Sequence, residues 1–84
     1  MSQRIYNPID FGFQWTDDGW YDFDRKAAQS AALKARNAYV KQAKAQGKQV
    51  STFSLPNQLI TRGGIGSGKP QIEVIVNCYG VNIY

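Results

Sequence analysis

The alternation of apolar and polar positions predicts a β-hairpin near the N-terminus. Aromatic residues alternate with polar ones over residues 11–16, which is the period of a half-buried strand. The sequence Asp17-Asp18-Gly19 predicts a hairpin loop, because Asp hydrogen-bonds to nearby backbone and Gly accepts a positive φ. If Thr16 and Trp20 close this loop, Trp20 lies on one face with Asp22. The opposite face then carries five aromatic residues: Phe11, Phe13, Trp15, Tyr21 and Phe23.

A long amphipathic helix is predicted from Asp24 to Gln46. Asp24 is a favourable N-cap and Gly47 a favourable C-terminal stop, while eight alanines between positions 27 and 45 give high helix propensity. The small apolar residues form one stripe, which would let the helix pack closely on a sheet. This stripe consists of Ala28, Ala31, Ala32, Ala35, Ala38, Tyr39 and Ala43.

The C-terminal half predicts three strands in a meander. Gln49–Leu55 and Gln58–Arg62 flank Pro56-Asn57, a pair typical of turns. After the Gly-rich connection 63–70, residues 71–84 form the strongest strand, whose many β-branched residues favour a central position. Gly80 marks a bulge or a bend in that strand.

These elements predict one domain, residues 1–84, of the α+β class. The predicted order is ββαβββ, a mostly antiparallel sheet with one Ala/Lys-rich helix packed on one face. The chain of 84 residues is too short for two domains of ordinary size. No apolar run reaches the ~18 residues of a membrane span, and the N-terminus lacks the apolar core of a signal peptide. We therefore expect a protein that does not contact membranes.

The amino-acid composition excludes several kinds of catalytic site. The chain has no histidine and one cysteine, so it has no His-based proton relay, no His-ligated zinc and no internal disulfide. Cys78 lies on the apolar side of the last strand, as an inert buried thiol would. We predict a protein that is not an enzyme, with no catalytic residues, no cofactor and no metal.

Two motifs resemble ligand sites but depart from them. Residues 63–70 (GGIGSGKP) match a phosphate-binding loop until Pro70, which stands where a Ser or Thr should bind magnesium. The segment after this loop is a predicted strand, whereas a phosphate-binding loop opens a helix. The aspartates at 17, 18, 22 and 24 fail the calcium-loop spacing, since position 12 of such a loop falls on Ala28.

Charge is segregated along the chain. The net charge of +4 divides into −4 over residues 1–24 (one basic, five acidic), +7 over residues 25–48 (seven basic) and +1 over residues 49–84 (two basic, one acidic). The hairpin and the helix are therefore poles of opposite charge. This segregation defines two candidate partner-binding surfaces.

The acidic surface consists of Asp17, Asp18, Trp20 and Asp22. A tryptophan on an outer face among polar residues is typical of an interface anchor. The alternative is that Trp20 covers the second face of the sheet or packs against the N-terminal Ile5-Tyr6 segment.

The basic surface consists of Lys34, Lys41, Lys44 and Lys48, with Lys26 beside them. Three interpretations remain open: a solvated face, a surface for an acidic protein, or a nucleic-acid contact. Nucleic acid is the less favoured partner, because arginine is sparse on this surface and no nucleic-acid-binding motif is present.

The aromatic hairpin with its DDG turn, the helix RKAAQSAALKARNAYVKQAKAQG and the short meander resemble, in architecture, small phage or mobile-element proteins such as the type I anti-CRISPR inhibitors. The resemblance implies a cytoplasmic protein of a bacterial host that blocks a Cas protein or ribonucleoprotein complex by direct binding, as a monomer or small homo-oligomer. The alternatives are a small nucleic-acid-binding domain that uses the basic helix face and a structural phage subunit.

Overall fold

The computed structural model describes residues 1–84 as an α+β protein, the predicted class. Its strands form two antiparallel sheets, one of three strands and one of two, and the helix packs on the three-stranded sheet. Three strands precede the helix and two follow it, a distribution that differs from the predicted two and three. The elements are β1 (Ser2–Tyr6), a 3-10 turn (Pro8–Asp10), β2 (Gln14–Trp15), β3 (Tyr21–Asp22), α1 (Arg25–Ala45), β4 (Val50–Gly64) and β5 (Lys69–Ile83).

The helix begins and ends where its capping residues predict. The Asp24 carboxylate accepts a hydrogen bond from the Ala27 N–H at 3.1 Å, which satisfies one of the free donors of the first turn. The helix ends at Ala45, and Gly47 adopts φ +79°, the left-handed conformation that glycine tolerates best. Local sequence therefore determines the bounds of α1.

Close packing of α1 depends on its alanines. Ala28, Ala32 and Ala43 are buried, and Ala32 is completely inaccessible to solvent, whereas Ala38 of the predicted stripe is exposed. Two cation–π contacts join the helix to the sheet. The Arg4 guanidinium of β1 lies 4.4 Å from the Tyr39 ring centroid, and the Arg36 guanidinium lies 5.7 Å from that of Tyr79 in β5.

The segment after the helix is one long hairpin rather than a meander of three strands. The predicted turn at Pro56-Asn57 is wrong: β4 continues through it, and the register with β5 shifts between Leu55 and Gln58. The irregularity is a β-bulge, in which Asn57 adopts φ +56°. Proline fits there because β4 is an edge strand and a bulged residue need not donate to the ladder.

The bulge is connected to the helix through Asn77. The Asn57 N–H donates to the Asn77 side-chain oxygen at 3.1 Å, and the Asn77 N–H donates to Gln29 Oε1 at 2.8 Å. β1 pairs only with residues 79–83 of β5, so the Asn77 N–H has no strand partner on that side. Gln29 supplies the missing acceptor, which the sequence pattern did not predict.

Replacing Gln29 with alanine should lower the free energy of unfolding by about 1 kcal/mol, because it leaves the partly buried Asn77 N–H without an acceptor. Urea denaturation measures the change. Gln42→Ala is the matched control, since Gln42 is exposed on the same helix and the substitution brings the same gain in helix propensity. Equal stabilities of the two variants would contradict the role given to Gln29.

β5 is the central strand of the three-stranded sheet, as its composition predicts. β1, which was not predicted, pairs along its other side. The register runs through Gly80 without a shift, so the predicted bulge there is wrong. Gly80 instead makes room for the Phe53 ring, with which an added Cβ would collide.

Half of the Gly-rich segment 63–70 belongs to the strands of the β4–β5 hairpin. β4 extends to Gly64 and β5 begins at Lys69, which leaves four residues, 65–68, as the turn. Ser67 closes it by donating from its backbone N–H to the Gly64 carbonyl at 3.2 Å and from its hydroxyl to the same carbonyl at 2.7 Å. No helix follows, so the geometry of a phosphate-binding loop is absent.

The long hairpin gives the molecule an elongated shape of 48 × 20 × 20 Å. Burial alternates along the first part of β5, where Ile72, Val76 and Cys78 are buried while Glu73 and Ile75 are exposed. The core is small, and Val81 is its most completely buried residue in the sheet. The helix α1 lacks the combination of length and apolar character that a bilayer span requires.

Candidate functional site

The aromatic hairpin β2–β3 forms in the predicted register. Trp15 pairs with Tyr21, and the Thr16 N–H donates to the Trp20 carbonyl at 2.8 Å to close the loop. Phe13 is the centre of the cluster, with ring centroids 5.2 Å from Trp15, 5.6 Å from Tyr21 and 6.1 Å from Phe23. Phe11 was predicted to continue this strand but does not, because its N–H donates to the Pro8 carbonyl and ends the 3-10 turn.

The loop of this hairpin is held by Asp18. Its carboxylate accepts a hydrogen bond from the Thr16 hydroxyl, and the Trp20 N–H donates to the same oxygen at 3.4 Å. The bond from Thr16, followed by the one from Trp20, lowers the pKa of Asp18. Asp18 therefore stays negatively charged at any pH near neutrality and also maintains the turn.

Trp20 is presented to solvent by this loop. Its side chain is 55% exposed and rests on Tyr21, with ring centroids 5.2 Å apart. Asp17 and Asp22 are exposed on either side of it in sequence. The structure thus places the four predicted residues of the acidic surface on one small hairpin, all of them exposed.

The β2–β3 hairpin packs against the β4–β5 hairpin close to its turn. A Cβ added at Gly63 would lie 3.1 Å from Trp15 Cη2 and would collide with the Pro70 carbonyl, so the strand must carry glycine there. The Lys69 ammonium lies 5.7 Å from the Trp15 ring centroid. Trp20 therefore lies on a hairpin whose position is stabilised by the aromatic cluster.

The predicted basic surface lies apart from the acidic one, on α1. Lys34, Lys41 and Lys44 are exposed on the helix, and Lys48 is exposed just beyond its end. The helix arginines have other roles: Arg36 donates to the Phe53 carbonyl and to Asn37, and Arg25 approaches the Ile75 carbonyl at 3.5 Å. The two candidate surfaces are separate, and the structure does not combine them into one site.

One exposed apolar feature was missed from the sequence. Leu59 and Ile75 are directly paired across β4 and β5, and they are 59% and 49% exposed. Their pairing depends on the extra residue in the bulge, which resets the register of β4 beyond Leu55. In the sequence these are two distant apolar residues, and no periodicity predicts that they pair.

The surface has no cavity, and no three acidic or cysteine side chains are grouped so that they could bind a metal ion. Cys78 is buried, and that burial, with a smaller contribution from Asp10, raises its pKa and keeps it a thiol. Compared with known proteins, the chain matches no family model, no curated protein and no solved structure.

Proposed function

We propose that the chain is a non-enzymatic inhibitor that binds a protein partner through the acidic surface of the β2–β3 hairpin. The observation that carries the proposal is the half-exposed Trp20 among Asp17, Asp18 and Asp22. An indole buries a large area on binding and loses few rotamers, which is why tryptophan dominates many interfaces. The hairpin already holds Trp20 in place, so binding costs little ordering entropy.

The charge around Trp20 selects the chemistry of the partner. Three exposed carboxylates lie on the same short hairpin as the indole, and the loop itself carries no basic side chain. A complementary partner presents a basic surface with an apolar pocket for the indole. Proteins that bind nucleic acid carry such surfaces, so we propose a Cas surveillance complex of a bacterial host as the target class, following the resemblance to type I inhibitors that the sequence suggested. The inhibitor would act by occupying the channel that DNA needs.

The test is direct binding of the purified chain to immobilised type I surveillance complexes, measured by surface plasmon resonance. The variant Trp20→Ala/Asp17→Lys removes the indole and reverses one charge. We expect the affinity to fall at least 30-fold, because hot-spot truncations cost about 2 kcal/mol or more. Asp17 is preferable to Asp18 for this purpose, because Asp18 holds the turn.

The matched control is Tyr84→Ala/Glu73→Lys, which makes the same kinds of change at exposed positions outside the hairpin. This control should keep the affinity of the unmodified chain within 2-fold. If no complex binds, the proposed target class is wrong. If both variants lose affinity equally, the hairpin is not the contact.

A further inference from the structure

We propose that the outer face of α1 is a second binding surface, which contacts the phosphate backbone of double-stranded DNA. This surface, the lysine row, consists of Lys26, Lys34, Lys41 and Lys44 on the helix, with Lys48 just past its end. It does not depend on the function proposed for the hairpin, because it uses different residues on a different element.

The lysine row is a geometric feature of the helix. At about 100° per residue, Lys26 and Lys44 have the same azimuth after about five turns, and Lys34 and Lys41 lie within ~80° of it. At ~1.5 Å per residue the row extends for roughly 27 Å. The buried Ala28, Ala32 and Ala43 lie on the opposite side of the helix. All of the lysines in the row are exposed.

The helix α1 has no acidic residue with which its lysines and arginines could form the ion pairs common on surface helices. No Asp or Glu occurs from residue 25 to residue 72, a stretch that contains nine Lys and Arg. Lysine and glutamate four residues apart would add about 0.2–0.5 kcal/mol per pair, and the basic first turn opposes the helix dipole. A helix with only positive charges is less stable than a mixed one but produces a uniform field, which attracts a polyanion.

The residues between the lysines favour a duplex backbone over the other polyanions. Ser30 and Asn37 lie between them, both short, polar and exposed. The row has no aromatic side chain on which unpaired bases could stack, which single-strand binding requires. It also lacks the large apolar anchor that a protein interface uses. Point charges along one side of a helix, without base-reading groups, suit non-specific contact with phosphates, which needs neither bidentate arginines nor a base-reading motif.

The test is fluorescence anisotropy with a labelled 20-base-pair DNA duplex at several salt concentrations. Four or five phosphate contacts predict a slope of about −4 in log affinity against log salt. The affinity should therefore fall on the order of 10²-fold between roughly 50 and 200 mM salt. Absence of binding at the lowest salt, or a slope near zero, would overturn the proposal, as would tighter binding of the single strand or of an RNA duplex.

Charge-matched variants separate the row from net charge alone. Lys34→Gln/Lys41→Gln should reduce the slope by about 2, since each phosphate contact contributes nearly one unit. Arg62→Glu lowers the net charge by the same two units at an exposed position near the end of β4 and should leave the slope unchanged. Equal losses in both variants would overturn the proposal. Trp20→Ala should not affect DNA binding, so failure of one proposal does not decide the other.

Discussion

Replacing Ala32 with leucine should lower the free energy of unfolding by about 3 kcal/mol. Ala32 is completely inaccessible to solvent where α1 packs on the sheet. Leucine adds three carbons to a site with no free volume, so the helix must move away from β5 or adopt strained rotamers. A chain of this length has a total stability of only ~4–12 kcal/mol, so the loss is a large fraction of it.

Urea denaturation followed by circular dichroism measures this loss. Ala38→Leu is the control, because Ala38 lies exposed on the same helix and leucine brings the same small propensity change there. We expect the control to stay within ~0.5 kcal/mol of the unmodified protein. If Ala32→Leu behaves like Ala38→Leu, the helix does not depend on close approach to the sheet.

Replacing Gly80 with alanine should cost about 2 kcal/mol, and the cost should disappear when Phe53 is also replaced by alanine. Gly80 pairs with Phe53 across β4 and β5, and the Phe53 ring occupies the space of the missing side chain. Gly80 does not have a positive φ, so its backbone accepts alanine. The expected cost therefore comes from displacement of the ring alone.

A double-mutant cycle tests this account with Gly80→Ala, Phe53→Ala and the double variant. Phe53→Ala alone should also destabilise the protein, by about 2 kcal/mol because the ring is only half-buried. In the Phe53→Ala background, Gly80→Ala should be neutral or stabilising, since alanine restricts the unfolded chain more than glycine. Additive effects of the two substitutions would show that the ring and the glycine are not coupled.

The two proposed surfaces would give the molecule two independent contacts. The acidic surface around Trp20 lies on the hairpin that the aromatic cluster fastens near Gly63, whereas the lysine row follows α1. Simultaneous contact through both surfaces would raise the effective concentration of each. A net charge of +4 describes neither surface, because it is the difference between them.

The sequence alone was sufficient for elements that depend on local contacts. Asp24 and Gly47 determined the ends of α1, because capping uses hydrogen bonds and φ values within a few residues. The register of β2–β3 followed from its turn and its aromatic alternation. The exposure of the helix lysines follows from the helical period, whereas the sequence left open whether Trp20 is covered.

The tertiary structure alone decided the features that need a partner distant in sequence. Pro56-Asn57 has the residues of a turn, but Asn77 accepts from the Asn57 N–H and makes the segment a bulge. β1 becomes a strand only because β5 offers a free edge beside residues 79–83. Gly80 is needed for the Phe53 ring and not for its own backbone. These outcomes depend on long-range pairing and packing, which periodicity and local propensity do not encode.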